Sequence, residues 1–216
     1  MFNHLLIEQS FPTPIGIVKC GISSTYSTLI LMGHNTYENG RSVIYRTLSH
    51  IVEVITFKRR LPLYNGESVK DCQGWIWRIT KESGEVEHLQ LNCLISDIAT
   101  DVILLGSDPG EHLDSFAANN DSWITHIGSE DGEVMHYRAL NDDWMPSRYK
   151  DALDFTTSFT SIQSNGLSTL VPDLREGERI HFHYLAAYDE YSEIRVNTWF
   201  AVDETKRNLE NWIGIW

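Results

Sequence analysis

The chain is 216 residues long, 42% hydrophobic and 11% aromatic, and sets 30 acidic side chains against 17 lysines and arginines for a formal charge of −13. That is ample material for one substantial core, and it excludes two broad classes of partner. Phosphate binding needs clustered cations, whereas Lys58-Arg59-Arg60 is the one basic cluster here, and no run approaches the 18 apolar residues of a membrane span, so neither nucleic acid nor a membrane is expected.

The amino-terminal stretch MFNHLLIEQSFPTPIG lacks a basic start, and its apolar run is too short for a signal peptide, which points to the cytoplasm. Cys20, Cys72 and Cys93 are odd in number and have no metal-type spacing; each sits in an apolar or strand-like context and reads as a buried free thiol. No P-loop, dinucleotide glycine fingerprint or nucleophile elbow occurs, and no cofactor is expected.

Along the chain, Glu38-Asn39-Gly40 through Tyr45-Arg46-Thr47-Leu48 overlays Glu130-Asp131-Gly132 through Tyr137-Arg138-Ala139-Leu140 at an offset of 92. Ile51–Phe57 reads as a strand, and so does Asp101–Leu105, which matches it at Val54/Val102 and Ile55/Ile103. The strongest echo is between residues 74–91 and 122–139, 48 positions apart, where eight of eighteen pairs are identical. Random pairing would give roughly one, and a period of this size marks propeller or solenoid architectures. Each copy is predicted to be a β-hairpin: Trp75–Thr80 with Val86–Leu91, and Trp123–Ile127 with Val134–Leu140, each turning through an acidic, glycine-bearing tip. Gly177-Glu178 through His181-Phe182 is a partial fourth copy, and the glycines at 40, 84, 132 and 177 are nearly evenly spaced.

The expectation is therefore an all-β, single-domain chain, a β-propeller-like array of about four to five short antiparallel blades. Its approximate repeats are 15–48, 49–96, 97–144 and 155–216. Helix is confined to a turn or two in Asp142–Leu153, interrupted by Pro146, and to Asp203–Leu209 behind a capping aspartate.

His181-Phe182-His183 places two imidazoles on one face of a strand, as metal sites do, but no third ligand is suitably spaced. His181 also falls on the repeat position of His88 and His136, whose recurrence marks either equivalent ligand pockets or a histidine repeated because each blade packs alike. Asp108, Glu111, His112 and Asp114 make an oxygen-rich loop without EF-hand spacing. His183, Tyr184 and Asp189 are the acid–base candidates if the scaffold is an enzyme, a cyclase or lyase acting on a hydrophobic natural product.

The last repeat carries a resemblance. Leu185-Ala186-Ala187, Glu193-Ile194-Arg195-Val196, Asn208-Leu209-Glu210 and Trp212 with Trp216 resemble the blade of fungal fucose-binding β-propeller lectins. Phe116-Ala117-Ala118, Trp123–Ile127, Gly132-Glu133-Val134 and Trp144 look similar. The resemblance implies sugar pockets between blades, with Arg195 and Glu210 bonding hydroxyls and Trp212 or Trp216 stacking on the sugar. In the middle repeats the arginine position falls on Trp77 and Thr125, and the glutamate position on His88 and His136. The expected partner is a small molecule or glycan, and completion of half-blades by a second copy would make a homo-oligomer.

Overall fold

The computed structural model describes residues 2–59, 68–108, 113–154, 156–192 and 197–215. In chain order its elements are β1 (His4–Thr13), β2 (Gly16–Ser24), β3 (Ile30–Tyr37), β4 (Gly40–Arg46), β5 (His50–Lys58), β6 (Asp71–Lys81), β7 (Leu89–Ser96), β8 (Ile103–Ser107), β9 (Leu113–Asn119) and β10 (Trp123–Glu130). Helix α1 (Gly132–Asn141) and a 3-10 helix (Ser147–Ala152) follow, then β11 (Thr160–Gln163), β12 (Gly166–Leu170), β13 (Arg179–Glu190), α2 (Asn197–Val202) and α3 (Lys206–Ile213).

The strands form two antiparallel sheets, of five strands in the order β1-β2-β7-β12-β11 and of eight in the order β3-β4-β5-β6-β13-β10-β9-β8. Val18, Cys20 and Ile22 of β2 and Leu91, Cys93 and Ile95 of β7 are buried with Trp75, Trp77 and Ile79 of β6 and Phe182 and Tyr184 of β13, and these make the inter-sheet core. The other face of the large sheet is covered too. Ile55, Ile76, Leu185 and Ala187 pack there with Ala201 and Val202 of α2 and Leu209 and Ile213 of α3. Strands buried on both faces carry unbroken apolar runs, which is why Gly74-Trp75-Ile76-Trp77 does not alternate. All three cysteines are free and buried, as expected, and burial pushes the Cys72 thiol up to about 12. Among the described residues no helix is long and apolar enough to cross a membrane.

The all-β expectation holds, but the strands do not form blades. Expected repeats 15–48, 49–96 and 155–216 each supply strands to both sheets, so these segments interleave rather than stand side by side. The duplicated strand halves are nevertheless related in space. β6 and β10 lie on either side of β13, with Trp75 opposite Tyr184 and Trp123 opposite Glu190. Their rings are joined through Phe11 and Tyr188, with centroid separations of 6.5, 5.8 and 6.1 Å along the series.

Beyond the strands the copies part. Val134–Leu140, predicted as a strand, is helical, because Asp131 caps it by accepting from the Val134 N–H at 2.8 Å and Met135 turns into the core. The residue at Met135's position in the other copy is Glu87, whose carboxylate accepts from Ser24, Thr47 and Ser49 and so ties its segment down as a loop. One side chain, apolar in one copy and charged in the other, accompanies the change from helix to loop.

Gly132 opens α1 against the 154–157 segment. A Cβ there would lie 2.2 Å from the Asp154 carbonyl oxygen and 2.3 Å from that of Thr157. Gly132→Ala should gain up to about 1 kcal/mol of helix propensity. It must also displace backbone, and overpacking of this kind costs roughly 1–3 kcal/mol. The variant is expected to unfold at lower urea concentration than the parent, a shift that equilibrium denaturation would read directly.

Candidate functional site

Two helices, of which the β-pattern obscures the first, build a cleft. α1 carries Arg138 and, just beyond its end, Asp142, an i,i+4 pair at 3.0 Å. α3 carries Lys206 and Glu210, a second such pair at 2.9 Å. Thr205 caps α3 by accepting from the Asn208 N–H, and Gly214, at φ +81°, ends it by donating to the Glu210 carbonyl. With Leu209 and Ile213 fixed in the second core, Lys206 and Glu210 turn toward α1. Between the helices lies a cleft of about 730 Å³, whose walls include Tyr137, Asp143, Arg207 and Glu133.

Its floor is a continuous charged lattice. The Arg138 guanidinium engages the Glu130 carboxylate, the His181 carbonyl at 3.1 Å and the Trp144 carbonyl at 3.2 Å. Glu130 also accepts the Lys206 backbone N–H at 2.9 Å. Lys206 Nζ reaches Asp142 at 3.1 Å as well as Glu210. Glu210 takes Arg78 Nη2 at 2.5 Å, and Arg78 lies 3.9 Å from Glu53, which accepts from Tyr37 and Ser42. Trp144 is flanked by the Arg78 and Arg179 guanidinium groups, each 4.8 Å from its ring. Burial alone would raise the Glu130 carboxyl, but Arg138, His183 and the Lys206 amide hold it below the usual range. Asp142 follows the same logic: burial raises it, and the Trp144 N–H and Arg138 more than offset that.

Two histidines sit beneath this floor on β13. His183 Nε2 donates to the Glu204 carbonyl at 2.9 Å, since a carbonyl can only accept. His183 Nδ1 is then the acceptor for His181 Nε2–H at 3.3 Å. The tautomers follow: His181 Nδ1 bears a bare lone pair, fully buried, 4.0 Å from Glu210 Oε1. Burial first, then Arg138 and the other cations, keep His181 well below the ordinary histidine value, so it is neutral.

The residues singled out from the sequence are dispersed. Glu210 lines the cleft. Trp212 is on α3 but packs on the second core, its carbonyl accepting from Asn39 at 2.7 Å. Arg195 and Trp216 lie outside the described residues. His136 is on α1, with Nδ1 donating to the Lys150 carbonyl at 2.6 Å, whereas His88 is on an exposed loop 3.6 Å from Asp173, so the two recurrent histidines occupy unrelated places. His183, Tyr184 and Asp189 do not meet. His183 is under α3, Tyr184 bonds Thr169 inside the inter-sheet core, and Asp189 is near the far end of β13.

Of the acidic loop, Glu111 and His112 lie outside the described residues, and Asp108 pairs with His126 at 3.0 Å. Asp114 is pushed up to about 6 by burial and by Asp131. Among the described residues no group of three histidines, cysteines or carboxylates is placed to hold a metal ion. Glu130, Arg138, Asp142 and Lys206 escaped the sequence reading. The signal that could have found them is the pair of i,i+4 charge couples, visible once both segments are read as helices.

A second cavity, of about 320 Å³, is lined in part by His50, Lys81 and Glu87. The Glu87 carboxylate there is engaged by internal donors, a structural tie rather than an open site. Neither protein-family models nor curated proteins yield a match to the chain.

Proposed function

We propose that this is a binding protein whose α1–α3 cleft takes a small hydroxyl- or amine-bearing molecule of the carbohydrate class. The balance of the lining carries the reading. Glu130, Glu133, Asp142, Asp143 and Glu210 stand against Arg138, Lys206 and Arg207, five carboxylates to three cations. Four of the five Arg138 donors are spent on the protein, whereas ionised carboxylates retain acceptor sites beyond those already used. Such a surface favours ligands rich in donors and disfavours phosphates and carboxylates. Tyr137, 57% exposed on the cleft wall, offers a ring for the apolar face of a sugar. The volume lies within the range of small-molecule sites, roughly 300–1,000 Å³.

Calorimetric titration with neutral sugars, amino sugars and sugar phosphates tests the reading. Neutral or amino sugars should bind and sugar phosphates should not. Tyr137→Ala should weaken binding roughly tenfold, the equivalent of a lost stacking contact of about 1.4 kcal/mol, without changing the fold. Absence of heat with every neutral and amino sugar, or tighter binding of the phosphates, would refute it.

A further inference from the structure

The eight-stranded sheet ends in two strands of the same make. Among the described residues β3 and β8 are its opposite edges. One begins Ile30-Leu31-Met32-Gly33 and the other Ile103-Leu104-Leu105-Gly106. In each the ladder slips between the leucine and the glycine, so that Met32 and Leu105 are the extra residues of matching bulges. In each, three successive apolar side chains are exposed, by 52, 56 and 54% in β3 and by 61, 40 and 53% in β8. Successive strand residues point to opposite faces, so the exposure of Ile30 with Leu31, and of Ile103 with Leu104, opens both faces of each edge. An apolar edge strand with open backbone groups is what a monomeric protein ordinarily avoids.

We propose that β8 of one copy pairs with β3 of the next, joining copies of this chain head to tail through a continuous sheet. Strand direction permits it without inversion. Every neighbouring pair in the eight-stranded sheet is antiparallel, so the first and last strands run oppositely, and a copy set alongside in the same orientation meets the other antiparallel. Charge selects the pairing. Residues 97–121 contain Asp97, Asp101, Asp108, Asp114 and Asp121 and neither lysine nor arginine, whereas β3 and β4 present exposed His34 and Arg41. The register that sets Ile103–Leu105 against Met32–Ile30 also sets Asp101 opposite His34. Pairing β8 with a second β8 would instead bring acidic edges together. Such a heterologous contact closes into a ring or extends as a filament, according to the rotation between copies.

Sedimentation of the full chain at high micromolar concentration should show species of several copies. Leu31→Lys and Leu104→Lys, both at exposed positions, should each sediment as monomers with an unchanged circular dichroism spectrum. Mixed in equal amounts they should form a one-to-one heterodimer, because each retains the edge the other lacks. The parent sedimenting as a monomer, Leu104→Lys alone remaining dimeric through a two-fold β3 pairing, or the mixture remaining monomeric would each overturn the proposal.

Discussion

Arg138→Met is expected to lower the unfolding free energy by about 3–5 kcal/mol, the range seen when one partner of a buried ion pair is removed. Arg138 and Glu130 are both almost wholly buried, and the guanidinium satisfies the His181 and Trp144 carbonyls besides the carboxylate. Methionine fills much of the volume but leaves Glu130 with the Lys206 N–H as its remaining donor. The Glu130 carboxyl should then titrate higher than in the parent, since the guanidinium that held it down is gone. Adding Glu130→Gln to Arg138→Met should recover a large part of the loss, because the stranded charge is removed. Urea denaturation of the parent, the two single variants and the double variant measures this as a cycle. A loss below about 1 kcal/mol for Arg138→Met would mean that the pair is solvated and the cleft floor is not the rigid lattice described.

Glu87→Gln should remove a block of acid-sensitive stability. The Glu87 carboxylate accepts from Ser24 Oγ at 2.7 Å, Thr47 Oγ1 at 2.6 Å, the Ser49 N–H at 2.9 Å and His50 Nδ1 at 3.1 Å, which ties β2 to the turn between β4 and β5. Burial alone would raise its pKa, but the bonds from His50, Thr47, Ser24 and Ser49 bring it from 4.5 down to about 2. A folded pKa below the unfolded one means that the contribution is complete above about pH 4.5 and is lost as the pH falls toward 2. At about 1.4 kcal/mol per unit the shift corresponds to roughly 3 kcal/mol. Glu130, Asp142 and Asp108 are also held low and add to the acid response of the parent. The part due to Glu87 is therefore the difference between parent and variant, read from denaturation midpoints at pH 7, 4 and 2.5. Parallel curves for the two proteins across that window would show that Glu87 bears none of it.

Both residues lie where the two copies of the internal repeat diverge, and that bears on how much could be read in advance. Three of the eight identities between 74–91 and 122–139 are Trp75/Trp123, Ile76/Ile124 and Ile79/Ile127, and those positions do fall on strands that flank β13. The shared Gly-Glu-Val tripeptide does not carry a shared conformation. It opens a loop after Gly84 and a helix from Gly132, since local preference at such a tripeptide is weak and the partners of Glu87 and Met135 decide. The predicted helix near Asp203–Leu209 is real but is displaced to α3, because Thr205 rather than Asp203 accepts from the first turn.

Composition and local pattern sufficed for the all-β class, the strands at Ile51–Phe57, Trp75–Thr80 and Trp123–Ile127, and the buried thiols, because these depend on the β-branched, aromatic and apolar side chains that each segment carries within itself. The stacking of two sheets instead of blades, and the meeting of Glu130, Arg138, Lys206 and Glu210 in one cleft, were decided by tertiary structure alone. Strand order and the contact of α1 with α3 are set by pairings between segments some 70 residues apart, as Glu130 and Lys206 are, and no local periodicity encodes which strand becomes whose neighbour.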